Sequence, residues 1–314
     1  MVLRTGGTMS DPMAEQSADV EGVEQESARR KRVFTRRRVI AAVLVVVVGV
    51  AVLLAAEYRH LNSAQMSNAQ FQEAVDRATE LGLGWVRNNR DQLIGERANV
   101  ALIFMLKDMH RLAPTPIMRG IVEDFRSRRA LPAFWKRVVD PSFPASKWEM
   151  NAALPDEILD NRWLIYCLNP AEVALKPAEV ESLFDTQRWT ERKLTHQLWA
   201  LWHLRLVSDD SRVTDELLEQ LCRRITDENI RDPRTLDMNY QRVAFTLMAC
   251  HPEMVRRRWI ERIIEQQRAD GGWNDWWWGL TSMHHKGDPR LSTAHATVQA
   301  LWVLYQVRYA YESG

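Results

Sequence analysis

Cysteine is scarce in this sequence: three in 314 residues, at positions 167, 222 and 250. An odd number without close spacing argues against a disulfide framework and against a zinc site. Each sits in helical text with apolar neighbours, so the expectation is three buried thiols. Net charge is also nearly absent. A formal +1, with 26% charged residues, removes the electrostatic case for a nucleic-acid partner. Strand-type alternation is missing from about Glu57 onward, which excludes a sheet-based fold. No phosphate-cradling loop, nucleophile elbow or metal-binding helix motif occurs. Neither a metal nor a cofactor is expected on these grounds.

What is present begins with a polar, acidic N-terminal stretch of about 28 residues that has too few large apolar groups to fold alone. Arg29-Arg30-Lys31-Arg32 and Arg36-Arg37-Arg38 follow. Residues 1–38 are therefore read as a disordered tail with a basic cluster. Residues 39–56 form an uninterrupted apolar run of roughly 27 Å in helical form, close to the hydrocarbon thickness of a bilayer. It has no polar face, so a transmembrane helix is expected. The basic cluster precedes the run, which places the N-terminus in the cytoplasm and residues 57–314 outside it. In a two-membrane bacterium that means a single-pass inner-membrane protein with a periplasmic domain. A cleavable signal peptide is the competing reading, but Leu53-Leu54-Ala55-Ala56-Glu57 lacks a clean small-x-small site. Thr35-Arg36-Arg37-Arg38-Val39-Ile40 also has some twin-arginine character.

Residues 57–314 read as all-α. Helices are predicted over 71–87, 99–111, parts of 121–139, 156–168, 178–184, 190–207, 215–226, 240–250 and 254–268, with a last one from Ser292 or Thr293 to about Tyr311. Pro114 and Pro116 are expected to end the first hairpin. Val298, Leu301, Trp302, Tyr305 and Tyr309 are expected to form the apolar face of the last helix. Ala200-Leu201-Trp202-x-Leu204 returns as Ala300-Leu301-Trp302-x-Leu304, with a weaker copy at Ala101-Leu102-Ile103 and a faint half-step at Ala244-Phe245-x-Leu247. That spacing fits stacked helical hairpins of about fifty residues, each burying its apolar face against a neighbour.

The densest local text runs from Trp259 to Tyr311. A helix ends at Asp270-Gly271-Gly272, where paired glycines permit a positive-φ exit. Trp273 follows, then a loop of roughly twenty residues, then the last helix. Gln267-x-x-Asp270-Gly271-Gly272-Trp273, with Ser292-Thr293-Ala294 opening the next helix, resembles the repeat of the terpenoid cyclase and protein prenyltransferase α/α toroids. The match covers about fifty residues. The resemblance implies an α/α toroid in which Gln267 and Trp273 fasten neighbouring helix ends. An open helical solenoid is the alternative architecture. Arg262 stands where that repeat commonly has an aromatic, and Trp259 is a possible replacement.

The family's activities do not transfer. Its cyclases carry an Asp-x-Asp-Asp acid, and here Asp209-Asp210 has Val207 in the first position. Its prenyltransferases bind zinc through Asp-x-Cys and His, and no cysteine here has that Asp. The candidate site is the loop 273–291. Trp276, Trp277 and Trp278 are candidate ligand-binding aromatics, suited to stack on sugars or isoprenoid chains. Asp275, His284, His285 and His295 are candidate catalytic or polar binding groups, because histidine titrates near neutrality. The expected function is a membrane-anchored cell-envelope binding or scaffold domain, with the bilayer as one partner and a glycan, isoprenoid lipid or envelope protein as the other. The alternative is an enzyme acting on envelope polysaccharide or isoprenoid lipid.

Overall fold

A computed structural model of the chain describes residues 39–94, 100–127, 133–140, 142–144, 146, 151, 154, 157–232, 237–274 and 291–310. Two compact units emerge, residues 1–60 and 61–314. Helix α1, Val39–Asn62, is long and apolar enough to cross a membrane. Its valines and leucines from Val39 to Leu54 are all exposed. Leu and Val held at a water surface would forgo about 25 cal/mol per Å² of burial, so this helix needs an apolar surrounding.

The second unit is helical, and no strand occurs among the described residues. Its elements are α2 (Asn68–Asn88), α3 (Arg90–Ile94), α4 (Val100–Leu112), α5 (Pro116–Ser127), α6 (Ala133–Val139), α7 (Leu159–Leu168), α8 (Pro177–Phe184), α9 (Glu191–Val207), α10 (Asp215–Arg231), α11 (Asp237–Ala249), α12 (Arg257–Glu265) and α13 (Ala294–Tyr305). Pro116 opens α5 rather than ending a hairpin. Proline's missing N–H costs nothing in a first helical turn, which the sequence reading overlooked. The start of α13 matches its expected cap: Thr293 Oγ1 accepts from Ala296 N.

Packing sorts these helices into two layers. In the first, α4 packs on α6, α6 on α7, α7 on α9, α9 on α11, α11 on α13, and α13 on α4. The succession returns to its starting helix. In the second, α5 backs α4, α8 backs α7, α10 backs α9 and α11, α12 backs α11 and α13, and α2 backs α13. Burial follows this order. The whole of α13 from Ala296 to Tyr305 is buried, not one apolar stripe. An inner helix is covered on every side, so the five-residue face expected from periodicity was too narrow. Helix α10 of the second layer is amphipathic, with Leu218, Leu221, Cys222 and Ile225 inward.

The Asp-Gly-Gly-Trp turn ties α12, α2 and α13 together. Gly271 has φ +88°, and a Cβ there would meet the Leu81 carbonyl. Gln267 Nε2 donates to Ala78 O at 2.8 Å and Gly271 O at 2.9 Å. Asp270 Oδ1 accepts from Gly272 N at 3.0 Å and Ser292 Oγ at 2.7 Å. Trp273 is fully buried; its Nε1 donates to Ile263 O at 2.7 Å, and its N–H to Thr297 Oγ1 at 2.9 Å. Trp259 is buried against the start of the unit, with Nε1 donating to Asn62 Oδ1 at 3.0 Å. Buried Glu261 accepts from Gln65 N and Met66 N at 2.7 and 3.1 Å. These bonds hold the first residues of the unit onto α12.

The cysteine expectation requires correction. Cys222, in α10, and Cys250, just past α11, form a disulfide with Cα atoms 6.1 Å apart. Only Cys167 is a free buried thiol, and its burial pushes its pKa well up. A 28-residue sequence separation carries no local pairing signal. The antiparallel return of α11 along α10 is what brings the two sulfurs together.

Candidate functional site

Six helices contribute side chains to one cavity of about 600 Å³. All six are first-layer helices, and on each of them the lining starts within the first turn. Helix α4 gives Val100, Ala101 and Met105; α7 gives Asn161 and Leu164. Helix α9 gives Arg192, His196 and Trp199; α11 gives Asp237, Met238, Gln241 and Phe245; α13 gives His295 and Gln299. Trp135 comes from α6. The cavity is therefore at the N-terminal ends of its helices, where unsatisfied N–H groups and the positive dipole ends gather.

Its polar groups are positioned in pairs. Arg192 Nη2 lies 3.0 Å from Asp160 Oδ2, a carboxylate that is fully buried. His196 Nδ1 is 2.8 Å from the Arg192 carbonyl, which can only accept. Nδ1 therefore carries the proton, and Nε2 keeps its lone pair. Burial lowers the pKa of His196, outweighing the opposite pull of its bond to the Arg192 carbonyl and of the Asp160 carboxylate. Its imidazole is thus neutral at pH 7. His295 Nδ1 faces Asp237 Oδ2 at 3.5 Å, and its Nε2 is 3.3 Å from Gln299 Nε2. Glu157 accepts from both Trp135 Nε1, at 3.1 Å, and Asn161 Nδ2, at 2.7 Å, and so fixes two lining side chains.

A second set of contacts holds the α9 terminus. Glu191, at φ +50°, has its N–H bonded to both carboxylate oxygens of Glu228 at 3.2 and 3.0 Å. Buried Arg242 donates to Glu228 at 3.1 Å and to Asp232 at 2.8 Å. This network joins the start of α9 to α10 and α11, and with it Arg192 and His196 to Gln241.

Two buried polar atoms on the cavity wall have no hydrogen-bond partner within the chain: Trp199 Nε1 and Gln299 Oε1. One is a donor and the other an acceptor. An unsatisfied buried polar group costs about 1–3 kcal/mol, so a native wall that keeps two calls for an explanation. They occupy equivalent places in the repeat. Val100, Trp199 and Gln299 each precede an Ala-Leu pair, and all three line the cavity.

Below the cavity the centre is filled by rings. Phe104 packs on Trp199, His203 and Trp302 at 5.3, 5.2 and 6.0 Å. Phe245 packs on Trp199 and Trp302 at 5.4 and 5.5 Å. His203 is buried among them, and burial drives its pKa down to about 3.

Of the residues expected from sequence, His295 lies in this cavity, beside Asp237. Trp273, expected as a clasp between helix ends, is fully buried. Asp275, Trp276, Trp277, Trp278, His284 and His285 lie outside the described residues. Sequence reasoning missed Arg192, His196, Trp199, Asp237, Gln241 and Gln299. Among the described residues, no group of three or more His, Cys, Asp or Glu is placed to hold a metal ion. The chain matches no family model, no curated protein and no solved structure.

Proposed function

We propose that this chain is a membrane-anchored cell-envelope protein whose exported domain is an α/α toroid that binds a saccharide in its cavity. The toroid reading is supported by the return of the packing succession to α4 and by the placement of one cavity at the ends of all six first-layer helices. The anchor reading is supported by α1. Export is supported by the basic cluster before α1 and by the Cys222–Cys250 disulfide, since disulfides persist in oxidising compartments.

The single observation that carries the ligand class is the wall itself. Aromatic and aliphatic faces from Trp135, Leu164, Met238 and Phe245 alternate with Trp199 Nε1, Gln299 Oε1, Gln241, Asn161 and the accepting Nε2 of His196. A sugar presents hydroxyls that donate and accept, between C–H faces that stack on rings. An isoprenoid chain would leave Trp199 Nε1 and Gln299 Oε1 unpaired, at the cost stated above. The volume, about 600 Å³, is in the range of small-ligand sites. The test is calorimetry on the full-length protein in detergent micelles, with envelope-derived oligosaccharides and polyprenyl phosphate as titrants. Saccharide binding that Trp199→Phe weakens supports the reading. Polyprenyl phosphate binding with no saccharide signal overturns it.

One observation favours catalysis in the same cavity. Asp237 facing His295 Nδ1 is the arrangement that orients an imidazole as a general base. In that reading Asp237→Asn leaves saccharide affinity in place and abolishes turnover of the bound sugar.

A further inference from the structure

We propose that the cavity is a blind well that takes the terminal residue of a glycan chain, so that a chain end and not an internal segment is recognised. This rests on the saccharide reading above and specifies how the sugar must enter.

The argument is one of depth. The helices start at the mouth and run away from it, at 1.5 Å per residue. Trp199 lies seven residues past Arg192 on α9 and Gln299 four past His295 on α13, which puts each orphan about 10 and about 6 Å further along its helix than the ion-paired group on that helix. The unpartnered donor and acceptor are thus at the bottom of the well, and the ion-paired groups, Arg192–Asp160 and Asp237–His295, are nearer its rim.

Away from the mouth, rings fill the space between the helices. Phe104, His203 and Trp302 stand three or four residues past Val100, Trp199 and Gln299 on the same three helices, are buried, and pack ring against ring. A polymer threaded through would have to displace them. A polymer lying across the mouth would meet Arg192 and His295 but would leave Trp199 Nε1 and Gln299 Oε1 unmet. Only a residue entering end-on reaches both. Its ring would then stack against Trp199 and Phe245, with hydroxyls directed at the orphan donor and acceptor.

The test is a glycan array probed with the full-length protein in detergent, followed by competition with free monosaccharides. The expected result is a set of hits that share one terminal residue over differing internal sequences. The matching free monosaccharide should compete. Trp199→Phe, which keeps a ring and deletes the N–H, should weaken those hits about tenfold, and Arg111→Ala, away from the cavity, should not. Hits that share an internal segment beneath varied terminal residues overturn the inference while leaving saccharide binding intact. The same holds if an internal oligosaccharide competes and the monosaccharide does not. No saccharide hit at all removes the parent reading and the inference together.

Discussion

His203 has an imidazole in a place suited to a hydrocarbon. Phe104, Trp199 and Trp202 surround it, and its Nε2 has no hydrogen-bond partner within the chain. Burial, with a smaller push from Lys107, holds its pKa at about 3 against an ordinary 6.5. The unfolded chain therefore binds this proton at a higher pH than the folded chain does. Stability is fully present above pH 6.5 and falls as pH drops toward 3. At pH 5 the loss from this group is about 2 kcal/mol. His203→Leu should remove that slope. The measurement is the urea midpoint at pH 7.5 and pH 5; equal losses in both proteins would show that His203 does not stay neutral. Gly271 has the opposite kind of constraint, in the backbone. At φ +88° with the Leu81 carbonyl against it, Gly271→Ala should cost more than about 2 kcal/mol, read as a lowered Tm. Gly84, which has open space around its Cα, gives the control: Gly84→Ala in the interior of α2 should stabilise by about 0.5–1 kcal/mol.

At the scale of elements, the disulfide fastens the second layer to the first. It joins Cys222 in the middle of α10 to Cys250 at the end of α11, and so closes a 28-residue loop. Cys250→Ser should cost about 3 kcal/mol, in the chain-entropy account, with a mass change of one disulfide in the intact protein. An unchanged melting curve would place the stabilisation elsewhere. The elements also show how much the sequence could reveal. Helix positions were legible because they depend on local spacing: the Gly271 exit, the Thr293 cap and the apolar run of α1 are written in consecutive residues. The pairing of Cys222 with Cys250 was not legible, because it depends on how two helices return past each other. The cavity is a stronger case. Its polar lining comes from positions 161, 192, 196, 199, 237, 241, 295 and 299, and of these only His295 stands out in the sequence. One signal was available. The repeat that places Ala-Leu at 101, 200 and 300 marks Val100, Trp199 and Gln299 as equivalent inward positions, and two of those are polar.

At the scale of the molecule, the anchor and the disulfide make linked demands. Helix α1 follows seven arginines and lysines at 29–32 and 36–38, a charge asymmetry that in the proposed orientation keeps the N-terminus on the cytoplasmic side. The disulfide requires an oxidising compartment for the rest of the chain. The proposed export of residues 61–314 would satisfy both conditions together. Deleting residues 1–56 should therefore do more than release the protein from the membrane. It should leave the domain in the cytoplasm with Cys222 and Cys250 reduced, less stable by about the 3 kcal/mol that the crosslink supplies. Alkylation of intact cells followed by intact-mass analysis distinguishes the states. The full-length protein should take up one alkyl group after denaturation, at Cys167, and the truncated protein three. Three in the full-length protein would mean that the domain faces a reducing compartment. The envelope placement would then fall, and the search for the sugar in the well would move to the cytoplasm.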